Sequence, residues 1–256
     1  MKTAFVLLAL LLALSEVEGV AQEEKKHFDP AVHEATRTFP YDDFLVVPVR
    51  VHLLRSKEED ALNCRLQEKD VRRVFGKVNR IWNKAGVAFH VESIVDEPAV
   101  KPEGFDPSEP TMQGYRKARP EASRAEGLIH VYYVHLLPTN GVFMGRDSIF
   151  VKDTAALREV KGGVDEPLPR VSSHEIGHAM GLPHRQDTIN LLASGTTGWS
   201  VNDAEIEKVR AWAKSQNWVF EPKAALEKKW TDILAAIPGE SETKEKAARV
   251  LKEAKP

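Results

Sequence analysis

The sequence has a single cysteine among 256 residues, so neither an intrachain disulfide nor a multi-thiolate zinc site can form, and a metal would have to be held by His, Asp or Glu. Charge of one sign is also missing. With 36 Lys+Arg against 38 Asp+Glu the formal net charge is -2, which offers no footprint for a phosphate backbone and points away from nucleic acid. No internal repeat period is visible, so a solenoid or propeller is not expected. The chain is 42% hydrophobic and 29% charged, which is enough apolar material to bury a globular core and lies well away from the composition of disordered chains.

The amino terminus reads as a signal peptide over residues 1–21. Lys2 precedes an apolar run at residues 4–14, and the small residues Gly19, Val20 and Ala21 close it. That run falls short of the roughly 18–20 residues that span a bilayer, so no membrane span is expected once the leader is removed. The expectation is an exported protein, periplasmic or extracellular. Residues 22–43 form a polar arm, residues 44–220 the main domain, and residues 221–256 a tail of two helices rich in Lys and Glu, over 225–237 and 243–255.

Periodicity supplies the framework of the main domain. Val47, Val49, Val51 and Leu53 alternate as in a strand, with Pro48 suggesting an edge position or a strand start. Val71, Val74, Phe75, Val78, Ile81 and Trp82 recur at three-and-four spacing, which predicts an amphipathic helix over 70–84 stopped at Ala85-Gly86. Strand alternation resumes at Val87, Phe89 and Val91. Five prolines between residues 96 and 126 predict mostly loop, with a short helix around 112–118. Strands follow at 128–134 and 148–151, with a short extended piece at 141–144 between them. A further helix at 202–218 opens on an Asn202-x-x-Glu205 capping box. This order predicts an α/β (α+β) domain built on a twisted mixed sheet, with a smaller helical carboxy-terminal part.

One constellation carries chemistry. Residues 172–184 contain His174-Glu175-x-x-His178-x-x-Gly181-x-x-His184. On a helix His174 and His178 lie one turn apart on one face, so their imidazoles converge on one ion. Gly181 can take the positive φ that ends the helix, and Pro183 stiffens the return that brings His184 to a third position. Three neutral nitrogens leave the fourth position of a tetrahedral Zn²⁺ open, the arrangement of a catalytic site. Glu175 stands beside the pair, placed to deprotonate a water. The bland alternative is that Ser172-x-x-Glu175 is only a helix-capping box. Chance agreement at all five motif positions is on the order of 10⁻⁴ or less, which favours a metal site. His33-Glu34 lacks the second His, and His52, His130 and His135 read as structural residues of strand segments.

At these residues the chain resembles the metzincin clan of zinc endopeptidases, and the likeness extends over roughly residues 44–218. The resemblance implies one catalytic Zn²⁺ on His174, His178 and His184, with Glu175 as general base acting on a protein or peptide substrate. It also implies that Gly141, Val142, Phe143 and Met144 form the sheet edge along which a substrate strand is added. Where the clan has a methionine in the turn beneath the metal, this chain has Leu192, an apolar residue of similar volume. No Met-x-Tyr pattern supports an additional Tyr ligand. Ser194 to Gly198 would either line the pocket beyond the scissile bond or form a polar turn. Some clan members are held latent by a cysteine. Cys64 has no matching propeptide motif around it and reads as a partly buried free thiol. Two other readings stay open at this point: a catalytically inactive zinc-binding interaction module, and a zinc hydrolase of non-peptide amides.

Overall fold

The computed structural model describes residues 45–106 and 111–220. The expected leader, the polar arm and both tail helices lie outside the described residues.

Alternation at the start of the domain produces β1 (Leu45–Arg55), whose Val47, Val49, Val51 and Leu53 are buried in the main core while Leu54 joins a second one. That split follows from the pleat, which sends successive side chains to opposite faces. Helix α1 (Glu68–Trp82) opens on a capping box between Gln67 and Asp70. All six of its apolar positions are buried. A short 3₁₀ turn, Asn83–Ala85, and Gly86 at φ 61° end it. Only a residue without Cβ adopts that conformation cheaply, so the chain reverses there into β2 (Val87–Pro98). The strand runs well past the alternating triplet at its start because Glu92 is absorbed as a bulge: Val91 pairs with Val49 but Ser93 pairs with Arg50. The proline-rich segment therefore becomes loop only after Pro98.

The remaining elements are α2 (Met112–Lys117), β3 (Ile129–Val134), β4 (Gly141–Phe143), β5 (Ser148–Lys152), α3 (Pro167–Ala179) and α4 (Asp203–Ser215). Together they form a mixed α/β domain around a five-stranded sheet of order β2-β1-β3-β5-β4. β1 pairs in parallel with β2 and β3, and β3 with β5; β4 alone is antiparallel, and it lies at the sheet edge. β1 has a neighbour on each side, which corrects the edge position suggested by Pro48. The ladder to β3 begins only at Val49, so the missing proline N–H is tolerated just before it.

One sheet face packs against α1, α3 and α4 through Val71, Phe75, Trp82, Val171, Ile176 and Val209. The other buries Leu62, Tyr115, Tyr132 and Phe150, the last two stacked with ring centroids 4.8 Å apart. Helix α1 is tied to β2 by one polar residue in the core. The fully buried Asn79 donates from Nδ2 to the Phe89 carbonyl at 3.1 Å and accepts the Phe89 N–H at 2.7 Å. Asn79→Leu should leave both backbone groups unpaired and lower stability by about 2–6 kcal/mol, counting about 1–3 kcal/mol for each buried unsatisfied group. The denaturation midpoint of the purified variant measures this; a shift under about 0.5 kcal/mol would show that water replaces the amide.

Candidate metal centre

Helix α3 begins earlier than the motif suggests. Pro167 and Pro169 sit in its first turn, where backbone N–H groups have no intrahelical partner, so prolines cost little there. Ser172 is consequently mid-helix. Its hydroxyl reaches the Leu168 carbonyl at 2.9 Å and Tyr133 Oη on β3 at 2.8 Å, which overturns the capping-box alternative for Glu175.

The three histidines converge. Nε2 of His178 lies 3.0 Å from Nε2 of His174 and 3.1 Å from Nε2 of His184. Among the described residues they form the one group of three side chains whose donor atoms could share an ion. Their tautomers follow from their other contacts. Nδ1 of His174 is 2.8 Å from the Leu191 carbonyl and Nδ1 of His178 is 2.7 Å from the Leu182 carbonyl. A carbonyl only accepts, so each Nδ1 carries the hydrogen and each Nε2 turns a lone pair inward. Burial pushes His174 down to about 3 and lowers His178 as well, keeping both neutral. Lone pairs pointed at one another at this spacing call for a cation between them. Nitrogens about 2.0–2.1 Å from a tetrahedral ion stand roughly 3.3 Å apart, close to the spacing here, so the residues fit a zinc-like ion. Gly181 has φ +86°, and its turn returns the chain to His184.

Glu175 is buried on the same helix, against the edge strand. Burial pushes its carboxyl up to about 8, opposed by the Arg170 guanidinium and by the Phe143 backbone N–H that donates to it. A divalent cation on the triad would add to that opposition. A cleft of about 780 Å³ lies over the site, and His174, Glu175, His178, His184, Gly141 and Phe143 are among its walls. Val142 lines it too. Met144 does not: the strand ends at Phe143, and the Met144 side chain is 5% exposed in the second core. Ser194 and Gly195 reach the cleft. Thr196 and Thr197 are instead buried supports, Thr196 donating to the Thr188 carbonyl at 2.7 Å and Thr197 accepting the Val160 N–H at 2.9 Å.

The turn beneath the histidines is built from 190–195. Leu192 is fully buried against the helix, and a Cβ placed on Gly177 would come 3.2 Å from its Cδ1. Leu192 thus gives the helix an apolar floor at this turn. Glu205 pins the turn from α4, accepting from Asn190 Nδ2 at 2.9 Å and Arg185 Nε at 2.6 Å, while its own helix keeps the expected Asn202 capping box. Arg170, also buried, was not apparent from the motif. It stands one turn before His174, and a charged residue on an otherwise buried helical stripe was the signal available.

The remaining candidates lie elsewhere. Cys64 is 2% exposed, more deeply buried than expected; burial pushes its thiol up to about 12, and among the described residues it joins no group of side chains that could share an ion. His135 pairs with Asp153 at 2.8 Å. His52 and His130 form a buried chain on the far face of the sheet, Nε2 to Nδ1 at 2.8 Å, running on to Glu97 at 2.6 Å and the Ala125 carbonyl at 2.9 Å. Burial lowers His52 to about 3 and raises Glu97, and the chain of bonds satisfies polar side chains buried between strands.

No protein-family model matches the sequence, and no curated protein matches it. Solved structures do. Metalloproteinase-II from Bacteroides fragilis is 10% identical with a TM-score of 0.42, over 71% of this chain and 60% of that one, so the chain spans well under the full length of that protein. Archaemetzincin from Methanopyrus kandleri is 14% identical with a TM-score of 0.41, over 69% of this chain and 99% of that one. A zinc-dependent peptidase from Methanocorpusculum labreanum is 14% identical with a TM-score of 0.36, over 64% and 99%.

Proposed function

We propose that this chain is a zinc-dependent endopeptidase of metzincin type. The observation that carries the reading is the convergence of three Nε2 atoms, two of them left with inward lone pairs by carbonyl acceptors at Nδ1, at the floor of a cleft that also holds Glu175. His174, His178 and His184 would hold the ion. When bound, zinc supplies Lewis acidity, polarising a carbonyl and lowering the pKa of water towards about 7. Glu175 is the residue that accepts the proton from the attacking water and returns it to the leaving amine. Phe143 N–H and the walls of the α3–β4 interface fix its carboxylate. Edge strand β4 offers a peptide backbone an outer ladder, which supports an extended peptide as substrate over a small amide. The leader pattern of residues 1–21 supports an exported enzyme.

Incubation of the purified protein with a denatured-protein substrate and a peptide library tests the reading. The expected outcome is internal cleavage, abolished by a chelator and restored by stoichiometric zinc. Bound metal with no cleavage of any peptide would instead indicate a binding module or a hydrolase of other amides.

A further inference from the structure

Arg170 is 2% exposed, a costly place for a guanidinium, and what it touches accounts for its presence. Nε donates to the Gly198 carbonyl at 2.9 Å. Nη2 donates to the Ala193 carbonyl and lies 3.4 Å from the Asn190 carbonyl. Nη1 stands 3.2 Å from Nδ1 of His174, but that nitrogen already donates its hydrogen to the Leu191 carbonyl and cannot accept another. The planar fork therefore gathers three carbonyls of one turn onto α3. Between them in sequence lie Leu191, whose carbonyl orients His174, and Leu192, which forms the apolar floor against Gly177.

We infer that Arg170 is a positioning residue of the metal centre: by clamping the 190–198 turn to the helix it holds the Leu191 carbonyl where His174 needs it, and so sets metal affinity. A leucine floor makes only nondirectional contacts, so beside the backbone bonds of Leu191 to Ser200 and of Leu192 to Arg185 it is Arg170 that ties this turn directionally to α3, as Glu205 ties it to α4. Lysine would keep the buried charge but offers a point donor in place of the fork, so it should not restore the arrangement. The inference depends on the proposed metal site, and its test separates the two.

Zinc affinity of the full chain is measured by competition with a chromophoric chelator, and the absorption spectrum of the cobalt-substituted protein is recorded, for wild type, Arg170→Met, Arg170→Lys and Leu62→Ala. Leu62 is buried in the second core, across the sheet from the site, and serves as a destabilised control. Arg170→Met and Arg170→Lys are expected to weaken zinc by about 10- to 100-fold, the usual effect of losing an outer-shell partner, and to shift the cobalt bands. Leu62→Ala is expected to lose thermal stability while keeping both the affinity and the spectrum. Wild-type affinity and spectrum in Arg170→Lys, or equal weakening in Leu62→Ala, would overturn the role. A wild-type chain that binds no zinc would overturn the proposed metal site itself.

Discussion

Glu175→Gln is expected to keep one zinc per chain and to lose turnover by about 10²–10⁴-fold, the range associated with a positioned general base. The substitution is isosteric, and the amide oxygen can still accept the Phe143 N–H that now donates to the carboxylate. Stability should change little, because burial already drives this carboxyl towards its neutral form, up to about 8. What the amide lacks is a basic oxygen that can take a proton and give it back. Steady-state kinetics on a peptide substrate, with metal content measured on the same sample, separates the two effects. Near wild-type turnover in the zinc-loaded variant would remove Glu175 from the mechanism.

Gly141→Ala should be almost as damaging, although it alters neither a ligand nor the base. A Cβ at this position would lie 2.7 Å from Val171 Cγ1, 2.8 Å from Glu175 Cγ and 2.9 Å from Glu175 Oε1, distances that packed atoms do not tolerate. Either β4 lifts off the helix or the Glu175 side chain turns away. Both outcomes separate the base from the edge that would carry the substrate. Displacement of about 1 Å at a reacting centre is enough for a loss of about 10²-fold in turnover. Overpacking should also cost about 1–3 kcal/mol of stability. Metal content is expected to stay at wild type, since the three ligands lie on other atoms of α3 and the turn after it. Unchanged kinetics in this variant would mean that the close approach of strand and carboxylate has no catalytic role.

Much of the framework was legible because it is local. The helix over 68–82 shows itself in six apolar residues at three-and-four spacing, and the same residues are the ones it buries. The histidine cluster was legible for a related reason: His174 and His178 share a helix face, and Gly181 permits the turn that returns His184. Two boundaries were not legible. Pro48 is accommodated inside an interior strand because one ladder starts only after it. The helix that carries His174 starts before Ser172, with Pro167 and Pro169 in a first turn that needs no N–H donors. Met144 belongs to the short extended piece at 141–144 read from the sequence, yet it follows the last strand residue and turns into the opposite core.

The sequence by itself determined which residues can hold a metal and which carboxylate stands beside them, since one helix and one glycine turn set those relations within eleven positions. Tertiary structure alone decided what makes that cluster a site. Leu191 supplies its carbonyl to His174 from 17 residues away, Arg170 reaches Gly198 across 28, and Gly141 leaves room for Glu175 from a different strand. None of these contacts has a period or a spacing to mark it. Each depends on separate segments being brought within a few ångströms by the burial of a shared core.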